Sequence, residues 1–326
     1  MTQQTVVTII EKNSFNDYTK KTIEQRIEII NDACSETERL IKNGNQNIDT
    51  SEIRAIIVAP EYFLSRKYDA IRDGDVLFTH RDIMIYAREE IAKISTRYKN
   101  MLIVPGSAGY IKEVDKRTEK GKLRVQKALE RLAEEDTGNA EIEYPRGVTD
   151  HAEYKAYWES KLASPQTSLF VYSNCMFAFL NGSMWKHRKT LGFNENKDMP
   201  DEFLSIDRPS DSAVVNIAGR TFGFEICFEH NQGVLKKLLG KSAVDFHIVV
   251  SDYVEKDNSH ISLKSDGYFI HASTRPSDCI VQDSKRKKIS TTQIDGNLSL
   301  YVIDTPAPAA GFGEQQSNDT TIATFE

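Results

Sequence analysis

Three polar residues stand where apolar runs end, and their types suit acyl chemistry. Glu61 follows "IIVAP", Lys189 lies in "MWKHRKTLGF", and Cys227 interrupts "TFGFEICFEHN" just before a helical stretch. A cysteine is a nucleophile only as the thiolate, so at neutral pH it needs a base or a cation beside it. Glu61 is suited to accept that proton. Attack on an amide or nitrile carbon leaves negative charge on oxygen or nitrogen, which a fixed ammonium and backbone N–H groups stabilise. Lys189 is suited to supply the ammonium, with the Phe228 N–H as a second donor if the turn at Cys227 is sharp. A thiol, a carboxylate and an ammonium together are a workable set for covalent acyl transfer.

The elements that must position these groups read as a layered α/β protein. "TVVTII" is a β-branched run, and Ile23, Ile27, Ile30 and Cys34 then mark one face of a helix that Gly44 closes. "IRAIIVAPEYF" is a second strand of the continuous apolar kind, "THRDIMIYAREEIAKISTRY" a second helix and "NMLIVPGSAGYI" a third strand. This order is βαβαβ, and in such proteins functional groups gather at the carboxyl ends of strands. Further on, Asn181-Gly182 predicts a hairpin that leaves Lys189 just past a strand. Ala218-Gly219-Arg220 predicts a second turn, whose outgoing strand runs into Cys227. "NQGVLKKLLG" reads as a short helix, "VDFHIVVSDY" as a buried strand, "ISLKSDGYFIHAST" as a helix, and "CIVQD" and "LSLYVID" as the last strands.

The bulk numbers agree. Apolar residues make up 39% and charged residues 28% of 326, the composition of a folded globular protein. A net charge of -6 leaves no basic footprint for nucleic acid. The N-terminal stretch lacks a signal-peptide pattern and no long apolar run is present, so a cytoplasmic protein without a membrane segment is expected. Cys34, Cys175 and Cys279 read as buried core thiols. The seven histidines lack a paired spacing, so no metal site is expected. The chain reads as one domain over 1–326, with a charged helical insertion at about 113–164 and a tail at about 305–326. The insertion carries an amphipathic helix through Val125, Ala128, Leu129 and Leu132, and a second in "AEYKAYWESKL". It is either a solvated excursion or a lid or subunit contact built on Tyr154, Tyr157 and Trp158.

"APEYF", "HRKTLGF" and "GFEICFEHN", in that order, resemble the three catalytic segments of the nitrilase superfamily of carbon–nitrogen hydrolases, over roughly residues 5 to 305. The resemblance implies a four-layer α-β-β-α sandwich, paired into homodimers or larger homo-oligomers. It also implies Glu61 as general base, Lys189 as oxyanion stabiliser and Cys227 as nucleophile, with no cofactor. The pattern departs at His187, where Tyr is common, at Phe228-Glu229, where Tyr-Asp is common, and at Asn231 in place of Arg. Lys197 fills the position of the family's second glutamate, so Glu195 or Glu202 is the expected substitute. Glu229 and His230 are expected to support the nucleophile or touch substrate. Glu225 is expected to accept hydrogen bonds from loop N–H groups or from Arg220 or Arg188.

Two classes of function follow. One is a thiol hydrolase of a small amide or nitrile, with amides favoured because most branches of the family cut amides or carbamoyl groups. The other is a binding or regulatory protein that keeps the fold without turnover.

Overall fold

Alternating β-branched runs and amphipathic helices in the first third of the chain build one sheet with helices on its outer side. The computed structural model describes residues 3–11, 21–44, 47–48, 52–67, 77–119, 121–123, 126, 151–163, 168–190, 203–205, 213–291, 293–295 and 297–306. β1 (Gln4–Ile10) leads through α1 (Ile23–Asn43) to β2 (Ala55–Val58), β3 (Arg66–Lys67) and β4 (Leu77–His80). α2 (Arg81–Arg97), β5 (Met101–Val104), β6 (Ser107–Asp115) and α3 (His151–Ala163) come next. Then follow β7 (Ser168–Leu180), β8 (Ser183–Arg188), β9 (Phe203–Ser205), β10 (Val214–Ile217) and β11 (Arg220–Ile226). α4 (Phe228–Asn231), α5 (Val234–Leu239), β12 (Val244–Ser251), β13 (Leu263–Ser273), β14 (Ile280–Asp283), β15 (Gln293–Asp295) and β16 (Leu298–Asp304) complete the order.

The strands form two sheets, one ordered β15-β16-β1-β2-β5-β7-β6-β4-β3 with β8 and β9 also on β7, the other β10-β11-β12-β13-β14. Side chains alternate across each strand, and the two faces of the first sheet bury different partners. Val7, Ile9, Ile56, Val58, Leu102 and Val104 pack against Phe222, Phe224, Ile226, Phe246, Ile248 and Val250 of the second sheet. Val6, Ile10, Ala55, Ile57, Met101 and Ile103 pack instead against Ile27, Ile30 and Cys34 of α1 and Met84, Ala87 and Ile91 of α2. A capping box starts α1, with Gln25 N–H donating to Thr22 Oγ1 at 3.3 Å and Thr22 N–H to Gln25 Oε1 at 2.9 Å. On the far side, α4 and α5 cover β11, with Leu235 filling the space beside Gly223. The result is the expected four-layer α-β-β-α sandwich.

Three local readings change. "NMLIVPGSAGYI" is two strands, β5 and β6. Pro105 offers no N–H to the ladder, and Gly106 turns the chain at φ +72 with Pro60 O where a Cβ would stand. "ISLKSDGYFIHAST" is β13 rather than a helix, paired parallel to β12 from Phe246↔Tyr268 to Ser251↔Ser273. Its Tyr268, Ile270 and Ala272 join the core between the sheets while Phe269 packs on the outer face, a period of two that sheet pairing imposed over helical spacing. β6 stays paired with β7 as far as Asp115↔Ser168, so the charged excursion begins after that strand. α3 forms where "AEYKAYWESKL" predicted a helix. The helix expected through Val125, Ala128, Leu129 and Leu132, the side chains of Tyr154, Tyr157 and Trp158, and the chain beyond Pro306 lie outside the described residues.

The predicted hairpin is present, with Asn181 at φ 51 and Gly182 at φ 86 between β7 and β8. All four cysteines are free and buried. Among the described residues, no helix is long and apolar enough to cross a membrane.

Candidate active site

Glu61 is carried by the turn that follows β2. Its carboxylate is fully buried. Oε1 accepts hydrogen bonds from Lys189 Nζ at 3.1 Å and from Asn174 Nδ2 at 2.9 Å, and Oε2 accepts from the Asp252 N–H at 3.0 Å. The next residue, Tyr62, has φ 58, an uncommon backbone for a bulky side chain, and its N–H is held by Ser107 Oγ at 3.2 Å. A buried carboxylate costs several kcal/mol unless paired and hydrogen-bonded, and these three donors provide that compensation.

Lys189 follows β8, and its N–H donates to Asn174 O at 2.9 Å. Asn174 therefore orients both members of the pair, through its backbone oxygen and its side-chain amide. Lys189 is 5% exposed, so the ion pair with Glu61 is almost fully desolvated.

Cys227 joins this pair from the other sheet. Its N–H donates to Val250 O at 2.8 Å, prolonging the β11–β12 ladder by one residue. It then turns sharply into α4 with φ 52 and ψ -109. Strain of this kind in a non-glycine residue costs on the order of 1–3 kcal/mol and concentrates at functional sites. Burial pushes the Cys227 thiol well above the ordinary cysteine range, the Glu61 carboxylate adds to the rise, and Lys189 and the Asp252 backbone amide oppose it. The resting sulfur is therefore a thiol, poised beside a carboxylate.

Glu229 ties the Lys189 segment to the Cys227 turn. Oε1 accepts from Thr190 N–H at 2.6 Å and Thr190 Oγ1 at 2.7 Å, while Oε2 accepts from Ile226 N–H at 2.7 Å and His187 Nε2 at 2.8 Å. Burial alone would raise its pKa, but His187 and these hydrogen bonds hold it below the usual carboxylate range. His187 faces this carboxylate rather than solvent, which accounts for the histidine there.

Glu225, the acid within β11 itself, points away from the core between the sheets. It is buried beneath α5, where its Oε1 accepts from Leu235 N–H at 2.8 Å and its Oε2 from His230 Nδ1 at 2.7 Å and His247 Nε2 at 2.8 Å. An N–H from the first turn of α5 thus stands in place of the expected loop donor, and two histidines replace the expected arginines. Arg220 instead bonds Pro306 O at 2.6 Å and pairs with Glu52. His230 is drawn away from the nucleophile, because Nδ1 serves Glu225 and Nε2 accepts from Asp257 N–H at 3.1 Å. Glu225, His230 and His247 offer ligand atoms within 4.8 Å of one another, the arrangement among the described residues that could converge on a metal ion. Scattered sequence positions concealed it. Here both histidines bond Glu225 Oε2, and through Leu235 N–H the same carboxylate is tied to α5.

Glu61, Lys189 and Cys227 thus come together, and Glu229 braces the segments that carry Lys189 and Cys227, whereas His230 is turned to Glu225. Glu195, Glu202 and Lys197 lie outside the described residues. Asn174 and Asp252 were not singled out by the sequence. Their signal was a polar residue inside or directly after a buried run, in "SNCMFAFL" and "VDFHIVVSD".

No family model and no curated protein matches the sequence. Solved structures do match by fold. Saccharomyces cerevisiae Nit3, a member of branch 10 of the nitrilase superfamily, superposes with TM-score 0.51 at 14% identity, over 93% of this chain and 90% of that one. The glutamine-dependent NAD+ synthetase of Acinetobacter baumannii gives TM-score 0.51 at 11% identity, over 93% of this chain and 46% of that one. These similarities and the four layers agree: the chain has the fold of the nitrilase superfamily.

Proposed function

We propose that the protein is a hydrolase of non-peptide carbon–nitrogen bonds that cuts small amides through a thioester on Cys227. One observation carries this reading: three strand ends bring a buried carboxylate, a desolvated ammonium and a strained cysteine together. Glu61 takes the thiol proton as Cys227 Sγ attacks the carbonyl carbon, because a thiol with a raised pKa needs transfer concerted with attack. The C=O bond opens to a tetrahedral oxyanion, which Lys189 Nζ and the Phe228 N–H stabilise. Glu61 then returns the proton to the nitrogen, the C–N bond breaks and ammonia leaves. Water gives a proton to Glu61 and attacks the thioester carbon. The carboxylic acid departs and the thiol is restored, so the steps use protein groups and water alone.

The test is ammonia release from a panel of small amides, ω-amides, carbamoyl compounds and nitriles, for the native chain and for Cys227→Ala. Release by the native chain alone, with matching circular dichroism, supports the reading and names the substrate class. Equal release by both proteins, or none across the panel, overturns it.

A further inference from the structure

Next to the three proposed catalytic groups stands a second carboxyl that the proposed chemistry does not use. Asp252 follows β12, the strand beside β11, so its chain position neighbours Cys227 across the sheet. Its N–H donates to Glu61 Oε2 at 3.0 Å and also interacts with the Cys227 thiol. The residue is held from behind: Ser273 Oγ donates to Asp252 O at 3.2 Å, and Thr274 Oγ1 lies 2.5 Å from both Asp252 O and Oδ1. Among the described residues Oδ2 has no hydrogen-bond partner, and the residue as a whole keeps 9% of its surface exposed. A buried carboxyl with one oxygen anchored and the other open is built to meet something.

Charge says what that something is. Among the described residues, the charged groups that act most strongly on Asp252 are Glu61, Lys189 and Arg275. Arg275 is turned onto the ring of Tyr253, with its guanidinium carbon 4.3 Å from the centroid, and forms no ion pair with Asp252. Lys189 is engaged by Glu61. With both carboxyls ionised and Arg275 held on Tyr253, Asp252 has no cation in contact among the described residues, and its charge would oppose an oxyanion forming at the same place. An incoming ammonium removes that opposition.

We infer that Asp252 selects substrates, favouring amides whose acyl portion carries a protonated amine over neutral or anionic amides. This rests on the proposed hydrolase reading and assigns the substrate class of the same site. Burial and then Glu61 raise the Asp252 pKa to about 7, with Thr274, Lys189 and Arg275 opposing, so the preference is switched on as pH rises through neutrality.

The experiment compares β-alaninamide, a cation, with butyramide, its neutral match in size, and succinamate, the anionic analogue. The readout is the ratio of kcat/KM for the first two in the native chain and in Asp252→Asn. A hydrogen-bonded charge pair corresponds to a ratio of about tenfold or more near pH 8, falling as pH drops to about 6. Asp252→Asn should bring the ratio close to unity at every pH. A native ratio at or below one, a preference for succinamate, or a ratio that Asp252→Asn leaves intact overturns the inference. Failure of the hydrolase reading is distinguishable, since no substrate then releases ammonia. In that event calorimetric binding to Cys227→Ala makes the same comparison: tighter, Asp252-dependent binding of β-alaninamide sustains the inference, and equal binding refutes it.

Discussion

Replacing Glu229 by Gln tests how the site is held together. The carboxylate accepts four hydrogen bonds, from Thr190 N–H, Thr190 Oγ1, Ile226 N–H and His187 Nε2. An amide keeps one oxygen and presents an NH2 group in place of the other. His187 can adapt by exchanging tautomer, and a hydroxyl can rotate, but backbone donors sit on both sides. Whichever way the amide turns, the N–H of Thr190 or of Ile226 faces another donor. An orphaned buried donor, plus the loss of a charged acceptor, costs roughly 2–4 kcal/mol. At a urea slope of about 3 kcal/mol per molar, the unfolding midpoint drops by about 1 M. The loosened backbone adjoins either Lys189 or Cys227, and a displacement of about 1 Å there lowers kcat on the order of a hundredfold with a smaller change in KM. The effect has a defined pH window. The folded pKa of Glu229 lies below its unfolded value of 4.5, so its contribution is complete above 4.5 and fades as pH falls through the lower folded value. The difference between native chain and variant is therefore largest near neutrality and shrinks in acid. An unchanged midpoint together with an unchanged kcat would refute Glu229 as the positioning residue of this site.

Two further substitutions probe the frame. His271 is fully buried with Nε2 2.7 Å from Ser251 Oγ, and burial, then His230 and His247, push its pKa down to about 3 from 6.5. Its contribution is present above 6.5 and lost as pH falls toward 3, at about 1.4 kcal/mol per pH unit, so His271→Gln should flatten the acid limb of a denaturation series by about one proton. An unaltered slope would sink that idea. Gly106→Ala places a Cβ against Pro60 O at a positive φ, one residue before Glu61, and should cost about 2–4 kcal/mol and reduce turnover. Native-like melting and activity would show that the Pro60 turn does not depend on this close approach.

Much of this arrangement was legible in the sequence where one segment carried its own signal. "TVVTII", "IIVAP" and "MLIV" announce strands by continuous β-branched content, and Asn181-Gly182 announces its turn because few other pairs tolerate two positive φ values. Glu61, Lys189 and Cys227 were visible because a polar residue ending an apolar strand is out of place unless it has a task. What stayed hidden depends on contacts between distant segments. Glu225, His230 and His247 become neighbours only when β11, α4 and β12 pack together, so no spacing reveals their network. Residues 263–273 misled because helical and strand periods are hard to separate over a short mixed run, and the neighbour that decided the matter, β12, lies about a loop away. Asp252 is one polar residue near the end of the run "VDFHIVVSDY", and only its backbone N–H on Glu61 Oε2 ties it to the site.

The most direct test of the account is the intact mass of the protein, quenched in acid during turnover of an amide that it hydrolyses. The account predicts an added acyl group on Cys227 that hydroxylamine removes, accumulates in the native chain and is absent from Cys227→Ala. Turnover without such an adduct under conditions that trap thioesters, or an adduct that persists in Cys227→Ala, would contradict it.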